Sequence, residues 1–129
     1  MITEKQAALL AQPNTAVIGV NRAKGAPQLT AVWYVWDGND FIFSTTKDRA
    51  KYVNIKRNPA ISLIVDDTST HTSVVAYGQA EIIEHDFAAL ARPLMEKYVP
   101  EARREEALKE MIDDPKRVIV VLHPEKILL

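Results

Sequence analysis

A chain of 129 residues, 47% apolar and 26% charged, is long enough to bury one core and too short for two. Its formal net charge of −1, from 16 basic and 17 acidic residues, lacks the basic excess of a general nucleic-acid or anionic-membrane surface. Without cysteine it has no disulfide, thiolate nucleophile or thiolate metal ligand, and no apolar run approaches the roughly 20 residues of a membrane-spanning helix.

The opening "MITEKQAALLAQ" mixes charge with apolar residues and has no secretory-leader core, so a cytoplasmic protein is expected. Residues 3–12 read as a short helix, with Thr3 as N-cap and Ala7, Leu10 and Ala11 at helical spacing. "TAVIGV" (15–20) is a strand, and "NRAKGAP" must turn. "QLTAVWYVWD" (28–37) reads as one strand, with Leu29, Ala31, Trp33 and Val35 on one face and Gln28, Thr30, Tyr34 and Trp36 on the other. Asp-Gly tolerates the positive φ of a tight hairpin, so "DGND" joins that strand to "FIFSTT" (41–46).

Residues 48–58 read as a helix ended by Asn58-Pro59, because a residue before proline avoids helical angles. "AISLIVDD" (60–67) is a buried strand, "TSTH" a turn, and 72–83 a long strand whose Gly78 marks a bulge or a barrel corner. Two helical segments, 85–98 and 100–112, precede "RVIVVLHPEKILL" (117–129), which reads as a last strand followed by a short tail. Six strands joined mostly by hairpins, with helices at the ends, predict an α+β chain, mainly β, forming one domain over 1–129 as a closed or split antiparallel barrel. Aromatic residues on both faces of 28–37 need an interior on one side and a cover on the other, which predicts a dimer.

The stretch "STTKDRAKYVNIKRNP" (44–59) carries five cations within eleven residues against one carboxylate, Asp48. Short basic helices commonly just face water. Here the helix follows a strand end rich in hydroxyls (Ser44, Thr45, Thr46), and Lys47, Arg49 and Lys51 sit at its start. Free amides at a helix N-terminus attract anions, and cations beside them form charge-assisted bonds to phosphate. Asp48 competes for those amides unless it points away or Thr46 caps the helix. The residues themselves therefore predict an anion site at a strand-to-helix corner and name no ligand.

The order of elements, together with "G-x-P-Q-x-T-x-V-W-Y" (25–34), the Asp-Gly hairpin leading to "F-S-T-T", and "R-A-K-x-x-N-I-K-R-N-P" (49–59), resembles the pyridoxamine 5′-phosphate oxidase-like split β-barrel superfamily. Within it the chain is most similar to small flavin and deazaflavin oxidoreductases dependent on coenzyme F420. The resemblance covers nearly the whole chain and implies an FMN-binding-barrel type fold, homodimeric, with the cofactor in a groove between subunits. It implies a cofactor ring lying along the strands of Gln28, Thr30, Ser44, Thr45 and Thr46. Its phosphate would meet Arg49, Lys51 and the Ala50 backbone. Asn54, Lys56 and Arg57 come next, the two cations serving the acidic tail of a deazaflavin, and the other subunit contributes residues around His71 and Ser73. The sequence stops soon after "HPEKILL", without the extended segment of full-length pyridoxamine phosphate oxidases, so vitamin-oxidase activity itself is not expected. "THTSVV" is smaller than the aromatic-bearing version of some relatives, which implies a looser ring contact and a larger substrate pocket.

The resemblance implies a reductase that uses reduced F420 to transfer a hydride to an unsaturated small molecule. FMN, as an oxidase or as a non-catalytic flavin or haem carrier, is the alternative. Tyr34 and Tyr77 are weak candidates for the proton donor, since a barrel tyrosine more often packs. His71, His85 and His123 have no metal-ligand spacing, Ser44 has no nucleophile-elbow context, and "PEARREEALKE" reads as a solvent-facing helix with internal ion pairs. Trp33 and Trp36 divide between stacking on a flat ligand and packing in the core or an interface. A barrel binding single-stranded nucleic acid is disfavoured by the near-neutral charge.

Overall fold

The computed structural model describes residues 2–128, so Leu129 of the expected tail lies outside the described residues, and the rest of that tail continues the last strand to Leu128. Helix α1 (Glu4–Ala11) opens on a capping box in which Gln6 N–H donates to Thr3 Oγ1 and Thr3 N–H donates to Gln6 Oε1, each at 3.0 Å. The Gln6 amide also donates to the carbonyls of Ser73 and Leu128, tying α1 to the sheet. Strands β1 (Ala16–Val20), β2 (Gln28–Val32), β3 (Val35–Trp36), β4 (Phe41–Thr46), β5 (Ala60–Asp67), β6 (Thr72–Ile83) and β7 (Arg117–Leu128) form one antiparallel sheet in the order β2-β1-β5-β6-β7-β4-β3. Helix α2 (Ala50–Arg57) connects β4 to β5, and α3 (Phe87–Tyr98), a 3-10 turn (Glu101–Arg103) and α4 (Arg104–Asp113) connect β6 to β7.

The expected strand over 28–37 is two strands, β2 and β3, and they lie at opposite edges of the sheet. Only Trp33 and Tyr34 join them. A chain covers at most about 11 Å in those three steps, whereas seven flat strands would span about 29 Å. The sheet must therefore curl until its edges nearly meet, which is the split barrel. The break has a local cause. Tyr34 N–H donates to the Tyr98 hydroxyl (3.2 Å), and Tyr34 O accepts from Lys97 Nζ (3.0 Å) with the Tyr98 hydroxyl 3.1 Å away. Side chains of α3 thus take the backbone groups that a neighbouring strand would have used.

Phe41, Phe43, Leu63, Val65, Val74 and Leu122 fill the inside of the curl with Leu10 and Ile55. A second core lies on the outside of β4 and β7, where Leu94, Met95, Val99 and Leu108 of α3 and α4 cover Ile119 and Val121. Residues Val118, Ile119, Val120, Val121 and Leu122 are all buried because β7 separates the two cores. The bulge expected at Gly78 is present: the register between β6 and β7 shifts between Tyr77 and Gly78. A Cβ at Gly78 would come 2.0 Å from His123 O, so only glycine allows this approach.

The opposite outer face, on β2, β1, β5 and β6, has no helix over it among the described residues. Cross-strand register aligns Leu29, Gly19, Ser62 and Tyr77 in one row and Ala31, Val17, Ile64 and Val75 in the next. Leu29 is 71% exposed, Tyr77 46% and Ile64 40%. Among the described residues no helix is long and apolar enough to cross a membrane.

Two strands and the β3–β4 hairpin turn are also joined by charge. His123 on β7 places Nδ1 3.0 Å from Asp40 and Nε2 2.8 Å from Glu81, and the Glu81 carboxylate, then Asp40, raises its pKa above 6.5. A raised imidazole pKa stabilises the fold fully below the unfolded value of about 6.5 and ceases to do so as pH rises through the folded value. Urea midpoints measured from pH 5.5 to pH 9 should therefore fall more for the wild type than for His123→Gln. The two curves should converge at the alkaline end.

Candidate functional site

Strand β4 brings Ser44, Thr45 and Thr46 to the corner where the chain turns into α2. The helix begins at Ala50, two residues later than the sequence pattern suggests, with Arg49 in the N-cap position and no side chain capping it. Asp48 does point away: the Thr46 hydroxyl donates to it (2.5 Å), and with Lys116 3.5 Å beyond, these partners hold its carboxyl below the usual range. Lys47, expected beside the anion, instead pairs with Glu84 at 2.5 Å. Among the described residues the N–H groups of Ala50 and Lys51 have no hydrogen-bond partner.

Lys51 is only 8% exposed and has no carboxylate within ion-pair distance among the described residues. Burial first, then the cations of Arg49 and Arg117, depress its pKa. Arg117 heads β7 and is paired in register with Thr46, which delivers it to the α2 corner. Its one acidic neighbour, Asp114, is 3.9 Å away. Three cations thus gather at one corner, and of them only Arg117 has a carboxylate within ion-pair distance among the described residues. A buried cation without a counter-charge is costly, and a bound oxyanion would supply one.

Lys51, Arg117 and Ser44 line an open groove of about 650 Å3 at the split of the barrel. Ala31, Val32 and Trp33 of the β2 edge form one side of it, and Met95, Val99 and Met111 of α3 and α4 form another. The cavity is of a size that takes a cofactor or drug-sized molecule.

The other expected residues are distributed more widely. Gln28 and Thr30 lie half-buried on β2, and Gln28 Oε1 accepts from Asn54 Nδ2 at 3.4 Å, so α2 lies beside that edge. The Ser44 hydroxyl donates to Val118 O at 3.0 Å. Arg57 donates to Asn54 Oδ1 (2.7 Å) on its own helix and to Asn21 O (2.6 Å) in the β1–β2 connection, so two of its nitrogens are already engaged. Lys56 is exposed, 5.6 Å from the Tyr52 ring centroid. His71, at φ 53°, and Ser73 lie at the far end of β5 and β6 from α2, and one chain does not bring them to the corner.

Neither tyrosine reaches the groove of its own chain. Tyr34 is fully buried, its hydroxyl donates to Asn14 Oδ1 at 2.6 Å, and burial followed by Tyr98 raises its pKa. Its role is packing, which corrects its candidacy as a proton donor. Tyr77 stands on the uncovered outer face instead. Lys97, 3.7 Å above the Tyr34 ring, is pushed down to about 8 by burial and is held by the carbonyls of Leu10 and Tyr34. Arg117 is the site residue that sequence reasoning missed. An arginine leading into "VIVVL" reads as a strand end, and only the pairing of β7 with β4 shows where it goes.

Comparison with solved structures places the geometry in context. An F420 reductase is 28% identical, with 98% of each chain covered and a TM-score of 0.77. A conserved hypothetical protein from Mycobacterium tuberculosis is 26% identical over 98% of this chain and 83% of its own, with a TM-score of 0.82. General stress protein 26 from Bacillus anthracis, 19% identical over 96% of this chain and 89% of its own, shares the fold with a TM-score of 0.72. No curated protein matches the chain. The family model for pyridoxamine 5′-phosphate oxidase matches residues 2–129. With that match over nearly its whole length, and with the split barrel seen in its structure, the chain belongs to the pyridoxamine 5′-phosphate oxidase family.

Proposed function

We propose that the protein is a cytoplasmic oxidoreductase that binds reduced coenzyme F420 in the groove and uses it to reduce an unsaturated small molecule. The observation that carries this reading is Lys51: more than nine-tenths buried, unpaired among the described residues, and flanked by Arg49 and Arg117. The 28% identity to an F420 reductase along full length supports the choice of cofactor. FMN presents the same phosphate to the same cations and is the second reading, favoured by the family match.

When bound, the deazaflavin supplies a hydride to the electrophilic carbon of the substrate. The chain supplies position and charge. Arg49, Lys51 and Arg117, with the Ala50 and Lys51 amides, would hold the phosphate. Gln28, Thr30 and the Ser44 to Thr46 strand would run beside the ring. Asn54, Lys56 and the remaining guanidinium nitrogen of Arg57 would meet the acidic tail. Replacing Lys51 separates binding from folding. Charge-assisted bonds contribute about 1.5–3 kcal/mol each, so Lys51→Met should weaken F420 binding about ten- to hundredfold in a fluorescence titration. Because the ligand-free protein carries that cation desolvated, the same variant should unfold at an equal or higher denaturant concentration.

The uncovered face of Leu29, Ile64 and Tyr77 supports a homodimer, an apolar patch of this kind being a common mark of a subunit interface. In that assembly His71 and Ser73 of each subunit would complete the other's groove. Ile64→Lys should convert a dimer on size-exclusion chromatography with light scattering into a monomer. The monomer should also bind F420 more weakly, although Ile64 does not line the groove.

A further inference from the structure

The carboxylate that reaches the cationic corner is held more firmly than the cation it faces. Asp114 caps the C-terminal end of α4 and lines the groove with Lys51 and Arg117. Its Oδ1 accepts from Lys116 N–H at 2.9 Å, and its backbone carbonyl accepts from Arg117 N–H at 3.1 Å. Pro115 lies within this turn and fixes its own φ, which stiffens it further. The turn is also anchored to the α2 corner: Lys47 N–H donates to Lys116 O at 2.9 Å, and Lys116 Nζ stands 3.5 Å from Asp48. Asp114 Oδ2 then faces Arg117 Nε from 3.9 Å, too far for a hydrogen bond. Both side chains are about a third exposed, so the pair contributes little and leaves the guanidinium donors for a better acceptor. Glu110, on the same groove-lining face of α4, has no cation within ion-pair distance among the described residues.

We propose that Asp114 is a built-in competitor for the cofactor's phosphate, an autoinhibitory contact that holds Arg117 in the empty protein and yields it when the phosphate arrives. The inference rests on the reading of the groove as the cofactor site, and it adds how readily the cofactor leaves. A fixed carboxylate weakens the complex in two ways. Its own pairing with Arg117 is lost on binding, and its charge stays beside the bound anion and repels it. As the phosphate departs, Arg117 returns to Asp114. A hydride donor is oxidised in every turnover and must then be exchanged or reduced again, so a site that lets it go serves the reaction.

The test is a fluorescence titration of the full chain with oxidised F420, and in parallel with FMN, at low and high salt. Wild type is compared with Asp114→Asn, Asp114→Ser and Glu110→Gln. Asparagine and serine remove the charge and still offer an oxygen to Lys116 N–H, so the turn is kept. Both Asp114 variants should bind the cofactor about three- to tenfold more tightly than wild type, with the gain shrinking as salt rises. Stopped-flow displacement should show that gain mainly as slower dissociation. Glu110→Gln removes the same charge from the same helix face and should change affinity by less than about twofold. Unchanged or weaker binding in the Asp114 variants overturns the proposal, the carboxylate then being idle or positioning Arg117 for the phosphate. An equal gain in Glu110→Gln overturns it too, because any groove carboxylate would then serve. Either result leaves the cofactor reading standing where the wild type binds F420 or FMN. If the wild type binds neither, that reading falls and this proposal falls with it.

Discussion

The short crossing at Trp33 and Tyr34 is the constraint on which the rest of the structure depends. Two residues join strands at opposite edges of a seven-stranded sheet, so the edges are forced together and the sheet closes on a core. The closure is incomplete because the backbone of Tyr34 is bonded to Lys97 and Tyr98 rather than to a strand. What remains between β2 and β4 is a slot, with α2 beside it and α3 and α4 over its outer side. One set of hydrogen bonds therefore shapes the barrel and opens the groove.

Into that slot the fold places a buried cation, Lys51, with no ion-pair partner among the described residues. Lys116 and Thr46 engage Asp48, Glu84 engages Lys47, and Asp114 lies 3.9 Å from Arg117, which leaves Lys51 and Arg49 unmatched among the described residues. A lysine more than nine-tenths buried beside two arginines works against folding of the empty protein. Such a feature is retained where a ligand supplies the missing negative charge. This is a local trade of stability for binding.

Much of the frame was legible in the sequence because it rests on short-range chemistry. Thr3 caps α1, Asp37 and Gly38 form the hairpin turn, Gly78 marks the bulge, and Asn58-Pro59 ends α2, each from residues within a few positions. The anion site was half legible. Its helix and its cations Arg49 and Lys51 are local, but Arg117 arrives from 66 residues beyond Lys51 through strand pairing. The break at Trp33 and Tyr34 was hidden for the same reason. Alternation continues through "QLTAVWYVW", and the side chains that end the strand lie more than 60 residues away on α3. The diversion of Lys47 to Glu84 likewise depends on how β6 leaves the sheet.

The most direct test of the central claim is a pair of titrations of the wild-type protein, one with coenzyme F420 and one with its phosphate-free chromophore. If Arg49, Lys51 and Arg117 hold a phosphate in the slot, the phosphate-bearing molecule should bind at least about tenfold more tightly, with the difference shrinking as salt rises. Equal affinities at every ionic strength would contradict the account.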